Sequence, residues 1–364
     1  MHFHFRNVND AFEGLVGGIH NNLYELNTAE SRNGEVKYFP EPVMVTLSHP
    51  CERVLYNTER DCNPFFHMYE FLWMLAGRSD LAPLDFYNSR MKHFSDDGKI
   101  LNGAYGYRWR NRFDYYRNDV FGYETSGGLS KGYTDQIEEL IRHIGDQPNT
   151  RRAVLQMWNV EDDLLRIDGE NMSRDVCCNT NCYFKVRTID HGLDSSGDYL
   201  DMTVCNRSND LVWGMLGSNV VHFSFLLEYM ARRLKMNVGN MHTMTNNLHV
   251  YNWNWEPEKW LSYELIEEPP STPIDCLESV VNFVDEWHVA NSDLNLMLEL
   301  GEPWKSSFFN NTAMHMFHAF RFHKMRNYDA AYKRMERVES LDWKKAGMSW
   351  LLKRESNWRT KNER

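Results

Sequence analysis

The sequence predicts a mixed α/β (α+β) fold built around one large core, with a helical piece appended at its C-terminal end. Three observations carry that expectation. Apolar residues recur at helical spacing in several stretches. Between those stretches lie short runs that alternate or are rich in β-branched residues, as strands are. From about residue 269 onward the patterns are helical only. A chain of 364 residues, 42% apolar and 25% charged, is large enough to bury such a core.

Residues 9–26 place Phe12, Leu15, Val16, Ile19, Leu23 and Leu26 on one helical face. Residues 31–34 read as a turn holding Arg32, which by itself is either a solvated loop charge or an anion ligand. A strand follows at 42–47. The next helix, 64–76, starts with Pro64 in its first turn and stops at Gly77. Glu70 sits in the middle of this apolar helix. A carboxylate there is costly unless paired, and burial raises its pKa. It therefore either faces solvent along a polar stripe or serves as a general acid and base.

Gly103, Ala104, Tyr105 and Gly106, then Trp109 and Arg110, form a glycine–aromatic–arginine cluster. Residues 111–132 read as loop. A helix is expected over 134–144, with Ile137, Leu140, Ile141 and Ile144 on one face. Arg151 and Arg152 lead into a strand at 153–158, where they suit either anion capture or solvation. Strands at 182–189 and 199–205 form a hairpin around the polar loop 191–197. A helix over 219–236 turns Val220, Phe223, Leu227 and Met230 inward and ends with Arg232 and Arg233, which suit its dipole. Residues 267–273 are linker-like, and helices are expected at 275–289, 312–325, 328–338 and 341–352. The chain divides into residues 1–265 and a mostly helical extension, 266–364, of no assigned role.

Composition narrows the function. A net charge of -11 argues against general binding to nucleic-acid backbones, which needs a basic surface, but a few buried arginines suffice for one nucleotide. Seven cysteines without framework spacing and no apolar run at the start lead us to expect free thiols in a cytoplasmic protein. No membrane-spanning stretch is expected. No metal is expected either. His315, His318 and His323 lie in a Met/Phe-rich helix, and Cys178 and Cys182 are poorly spaced for zinc on a strand.

The stretch 175–186 offers a thiol at the mouth of a β-rich segment, and residues 206–210 follow with an arginine. A thiolate is a strong nucleophile, and a nearby arginine lowers its pKa and can hold an anion. The order of the pieces is more telling than any one of them. Arg32 before Gly34, Glu70 in its helix, the Tyr105–Gly106–Trp109–Arg110 cluster, Asp135 with Gln136, Arg151 with Arg152, Trp158 with Asn159, Cys178, Arg207 with Ser208 and Asp210, Gly214 before Asn219, and His249 with Tyr251 form a linear series. Over about residues 10–260 this series resembles the thymidylate synthase and pyrimidine hydroxymethylase superfamily.

The resemblance implies a thymidylate synthase-like fold, a large bent sheet packed by helices, with residues 1–265 as the catalytic domain. It implies Cys178 as nucleophile, chosen over Cys177 by its spacing to residues 183–186. Arg32, Arg207 and Ser208 match the phosphate grip, and Arg151 and Arg152 match a pair supplied across a homodimer interface. Glu70 matches the glutamate that orders water and moves protons, and Tyr105 a tyrosine near the reacting ring. Asp210 and Asn219 match residues at the base, Asn219 only if one extra residue is allowed after Asp210. His249 and Tyr251 match the pair at the sugar 3′-hydroxyl. The implied substrate is a pyrimidine deoxynucleoside monophosphate, and the implied cofactor is 5,10-methylenetetrahydrofolate.

In the implied reaction the thiolate adds to ring carbon 6, and carbon 5 takes up the one-carbon unit as an exocyclic methylene. Hydride then gives a methyl group, and water a hydroxymethyl group. Three departures favour water. Residues 84–94 lack the family tryptophan, Asn179 replaces a histidine after the nucleophile, and a helical extension replaces the short apolar tail. An amide at Asn219 suits uracil, although Ser218 competes for that position. We therefore expect dUMP to be converted to 5-hydroxymethyl-dUMP. A divergent thymidylate synthase, a dCMP or CMP hydroxymethylase and an inactive nucleotide-binding scaffold are the alternatives.

Overall fold

The architecture is set by a six-stranded mixed sheet, an apolar helix laid against it and a second apolar helix packed on the first. It is seen in a computed structural model that describes residues 1–116, 131–164, 173–189, 197–263 and 308–362. The expected helix 275–289, the linker-like run 267–273 and most of the hairpin loop 191–197 lie outside the described residues.

The main sheet has the order β1 (His2–Phe5), β4 (Val43–Leu47), β11 (Asn237–Thr245), β9 (Gly197–Asn206), β8 (Asn179–Ile189), β7 (Val154–Gln156). Its longest ladder is antiparallel, β8 on β9, and shifts register between Asn179 and Asn181. Such irregularities re-aim side chains beside functional sites. A smaller sheet runs β10 (Asn209–Asp210), β12 (Leu248–Tyr251), β3 (Gly34–Tyr38), β2 (Asn27–Ser31).

Helix α2 (Pro64–Leu75) begins where Asn63 Oδ1 accepts from the amides of Phe65 and Phe66, both at 3.1 Å, with Pro64 in the first turn. It ends at Gly77, whose φ of 69° needs a glycine. Eleven of its twelve residues are buried, as expected of a helix apolar all round. Helix α7 (Asn219–Arg233) lies beside it, and Phe71 stacks on Phe225 at 4.3 Å. A π-helical turn, Leu211–Ser218, runs straight into α7. The joined helix, Leu211–Arg233, is long and apolar enough to cross a membrane, contrary to the sequence expectation. Of its apolar 18-residue stretch, however, 89% is buried within the protein. Between these helices Arg53 and Glu228 form a wholly buried ion pair, completed by Ser224 Oγ at 2.9 Å from Arg53 Nε and by the Phe225 ring at 4.0 Å.

The C-terminal helices belong to the same core. These are α9 (Met314–Lys324), α10 (Tyr328–Met335) and α11 (Leu341–Asn362), the last of them ten residues longer than expected. Phe65 of α2 packs on Phe320 at 5.6 Å and on Trp350 at 5.4 Å, Tyr69 packs on Phe317 at 5.6 Å, and Phe225 on Trp343 at 5.9 Å. The extension is thus a wall of the core rather than a free appendage.

Three local expectations are corrected. Helix α1 (Val8–His20) stops early because Asn22 takes a left-handed φ of 54°, which leaves Leu23 72% exposed. Residues 114–116 and 131–133, read as loop, pair as strands β5 and β6. Strand β1 was not foreseen, because its alternation of His and Phe is too short to stand out.

Truncating Phe317 tests the single core. Phe317→Ala, at a fully buried site, should cost about 3–5 kcal/mol in urea unfolding and shift one cooperative transition. A separate early transition, with the rest unmoved, would mean that the extension folds on its own.

Candidate active site

The site forms where the sheet brings two chain segments side by side. Asn179 pairs with Asn206 at the end of the β8–β9 ladder, so the residues just outside the pair, Cys178 and Arg207, become neighbours. Arg207 is fastened three times to the strand that carries the thiol. Its amide donates to the Cys178 carbonyl at 2.9 Å, Nε to the Cys177 carbonyl at 2.8 Å and Nη2 to the Val176 carbonyl at 3.1 Å. Nη2 then lies 4.0 Å from Cys178 Sγ. The guanidinium also sits 5.8 Å over the Trp158 ring.

The two adjacent cysteines are told apart by this geometry. Cys177 is buried, its thiol donating to the Gly103 carbonyl at 3.5 Å, and burial pushes its pKa well up. Cys178 is half-buried and faces the arginine. One expectation needs correction. The Cys178 thiol is raised from its ordinary value, because burial outweighs the opposing pull of Arg207 and Arg32, and Asp175 and Asp210 add to the rise. The arginines limit the shift without reversing it.

Arg32 occupies the tip of the β2–β3 hairpin, where Gly34 supplies a φ of 108°. Its Nη2 donates to the Arg174 carbonyl at 3.0 Å, so both arginines lean on the segment 174–178. Ser208 is half-buried directly after Arg207. Arg151 and Arg152 do not join this group. They are exposed at the entry to β7, and the pairing of Val154 with Tyr183 puts them roughly 20 Å along the strand from Cys178.

The other expected residues line up behind the thiol. Tyr105 Oη accepts from the Asn179 amide at 3.3 Å, and its ring packs on Phe223 at 5.8 Å. Burial pushes its pKa well above the usual tyrosine value, with the Cys178 and Cys177 sulfurs adding to the shift. Asp210 and His249 are paired across β10 and β12. Burial raises Asp210 and lowers His249, while each partner opposes the other's shift. His249 meets Tyr251 edge-on at 5.0 Å, and Tyr251 Oη accepts from Asn33 Nδ2 at 3.4 Å, which ties the Arg32 hairpin to this strand.

Asp210 also caps the π-helical turn, accepting from the Val212 amide at 2.8 Å and the Trp213 amide at 3.3 Å. A π-turn takes up one residue more than an α-turn. The turn runs from Asp210 to Asn219, the two residues expected at the base. The Asn219 amide donates to Asn209 Oδ1 at 3.1 Å. Gly214 is required below it, since a Cβ there would lie 2.2 Å from the same oxygen. Ser218 Oγ is buried without a hydrogen-bond partner among the described residues.

Glu70 is buried rather than on an exposed stripe, and its Oε2 lies 2.9 Å from His222 Nε2. His222 escaped the sequence reading because it was counted within an apolar run. The signal was the one that singled out Glu70, a polar residue at a buried register of an apolar helix.

The thymidylate synthase family profile matches residues 28–294. The chain belongs to the thymidylate synthase family. It is 32% identical over 376 residues to the deoxyuridylate hydroxymethyltransferase of Pseudomonas phage M6, covering 99% of this chain and 96% of that protein. It is 38% identical over 212 residues to the deoxyuridylate hydroxymethyltransferase of Bacillus phage SP01, covering 58% of this chain and 49% of that one. A thymidylate synthase from Buchnera aphidicola is 27% identical over 53% of the chain and 62% of its own length. As a member of the thymidylate synthase family the chain is a one-carbon transferase acting in pyrimidine nucleotide chemistry.

The raised Cys178 thiol gives a direct check. In the substrate-free protein, iodoacetamide labelling of Cys178 should rise with pH at higher values than for a free thiol. Arg207→Met should shift the rise further upward, because losing a cation disfavours the thiolate. A downward shift would contradict the assigned electrostatics.

Proposed function

We propose that the protein transfers a one-carbon unit from 5,10-methylenetetrahydrofolate to carbon 5 of dUMP and completes the reaction with water, giving 5-hydroxymethyl-dUMP. The observation that carries this reading is the match to the Pseudomonas phage M6 protein, which runs through the C-terminal helices as well as the catalytic part. Those helices form one wall of a cleft between α11 and residues 53–67.

The residues present fit the cofactor. Tyr56, Trp343 and Trp350 give the cleft aromatic walls, and Trp350 Nε1 is buried without a partner among the described residues. Lys353 stands at its edge. These side chains would hold a flat heteroaromatic ring system and an anionic tail. They also offer the aromatic surface missing from residues 84–94. Bound there, the cofactor supplies the one-carbon unit.

The protein's own groups do the rest. Arg207, Ser208 and Arg32 hold the phosphate of dUMP through charge-assisted hydrogen bonds. Cys178 Sγ adds to ring carbon 6, and Tyr105 stays neutral beside the ring. Asp210 and Asn219 face the base, and His249 and Tyr251 the sugar hydroxyl. Arg151 and Arg152, too far along the sheet to serve their own site, contribute to the phosphate site of a second copy in a homodimer. Six described cysteines are free, and a thiol nucleophile needs a reducing compartment, so we place the protein in the cytoplasm.

Two measurements test this reading. Incubation with dUMP and methylenetetrahydrofolate should give a product with the mass of 5-hydroxymethyl-dUMP, with dCMP as a control arm. Formation of thymidylate and dihydrofolate would overturn it. For the dimer, Cys178→Ala and the double variant Arg151→Ala/Arg152→Ala should each be inactive alone. Mixing them under subunit exchange should restore activity toward about a quarter of wild type, because one site of each mixed dimer is intact. No recovery on mixing would remove the shared site.

A further inference from the structure

The buried pair Glu70–His222 has more polar capacity than the fold uses. Both side chains are at least nine-tenths buried, Glu70 with 6% and His222 with 2% of its surface exposed. Glu70 Oε2 and His222 Nε2 approach to 2.9 Å, but the contact is poorly aligned. Neither Glu70 Oε2 nor either ring nitrogen of His222 has a well-formed hydrogen bond among the described residues. Buried polar groups in this state are costly unless a further hydrogen-bonding molecule joins them. A pure packing role would favour an apolar residue at position 222, since Val220, Val221 and Phe223 around it are apolar and buried.

The surroundings fix where that molecule would be used. His222 immediately precedes Phe223, which packs on Tyr105, whose hydroxyl holds the amide next to Cys178. On the other side, Val221 of α7 and His67 of α2 line the cleft against α11. His67 is one turn from Glu70 and is held neutral by burial, by His222 and by Arg60, with its pKa lowered to about 3. The two helices that carry the pair thus also carry Phe223, against Tyr105, and the cleft-lining His67 and Val221.

We propose that His222, together with Glu70, binds the water that adds to the exocyclic methylene, and that His222 sets the hydroxymethyl outcome. This rests on the hydroxymethylation reading given above and deepens it. In the step, the water oxygen forms a bond to the methylene carbon. The methylene π pair moves onto carbon 5 and the carbon 4 carbonyl as an enolate. The proton leaving the water is taken up by the His222–Glu70 pair. Collapse of the enolate restores the carbon 4 carbonyl, re-forms the double bond between carbons 5 and 6 and expels the Cys178 thiolate. No oxidant or reductant enters, and hydroxide and a proton are all that the nucleotide and protein gain from the water.

The test separates the two halves of the reaction in the full-length protein. Release of tritium from carbon 5 of dUMP reports one-carbon attachment, and 5-hydroxymethyl-dUMP reports the addition of water. Under single-turnover conditions, with the protein in excess, His222→Leu should release tritium at a rate within a few-fold of wild type, while the rate of hydroxymethyl product formation falls by about 100-fold, the usual size of a proton-transfer contribution. His222→Gln, which retains hydrogen bonding, should recover part of the product. A merely structural role would lower both readouts together. A parallel fall, or no change in their ratio, overturns the proposal. Should both variants fail to fold, a crystal structure of the unaltered protein with dUMP decides instead. An ordered water within hydrogen-bonding reach of His222 and Glu70 is expected, and a direct aligned bond between the two with no water beside them overturns the proposal. If the wild-type protein makes thymidylate, the hydroxymethylation reading fails and this inference with it. If it makes the hydroxymethyl product and the ratio is unmoved in the variants, only this inference fails.

Discussion

The site depends on one arginine being fixed before any substrate arrives. Arg207 uses its amide, Nε and Nη2 on three consecutive carbonyls of the segment that carries Cys178. Those bonds hold the side chain to the strand and leave a cation 4.0 Å from the sulfur. Holding a cation in place in advance avoids the cost of ordering it during the reaction. The β8–β9 ladder makes this arrangement inevitable once Asn179 and Asn206 pair. Cys177 then turns into the core, where its thiol meets the Gly103 carbonyl, and Cys178 faces the arginine.

A second constraint follows from the core. Helix α2 sets Glu70 beside His222 of α7 and packs Phe65 and Tyr69 against the C-terminal helices. The catalytic part and the extension therefore share a single hydrophobic interior. One wall of the cleft between α11 and residues 53–67 is therefore a helix set into that interior.

Much of this was legible in the sequence, and the reasons are physical. Helix α2 announced itself through Pro64, Gly77 and an unbroken apolar run, and α7 through Val220, Phe223, Leu227 and Met230. The hairpin of β8 and β9 showed in its alternation. The candidate site residues from Arg32 to Tyr251 were read from the order of short motifs, a feature that no single element carries, and of these Arg151 and Arg152 stand apart from the group around Cys178. What escaped depended on distance in space. Nothing local says that Phe317 and Trp350 will meet Tyr69 and Phe65, or that His222 will face Glu70 across two helices. Nor does the sequence reveal that burial at Cys178 outweighs its arginines, because the balance turns on depth in the fold. The π-helical turn between Asp210 and Asn219 likewise has no local signature in the sequence.

The account's central claim is that Cys178 bonds to carbon 6 of a pyrimidine nucleotide while carbon 5 gains its new substituent. The most direct measurement is a mass map of the protein after reaction with 5-fluoro-dUMP and methylenetetrahydrofolate. Fluorine cannot leave carbon 5 as a proton does, so the reaction should halt with the nucleotide still attached. The account predicts a stable adduct on the peptide carrying Cys178, absent in Cys178→Ala. An adduct on Cys177 or elsewhere, or normal turnover of dUMP by Cys178→Ala, would contradict it.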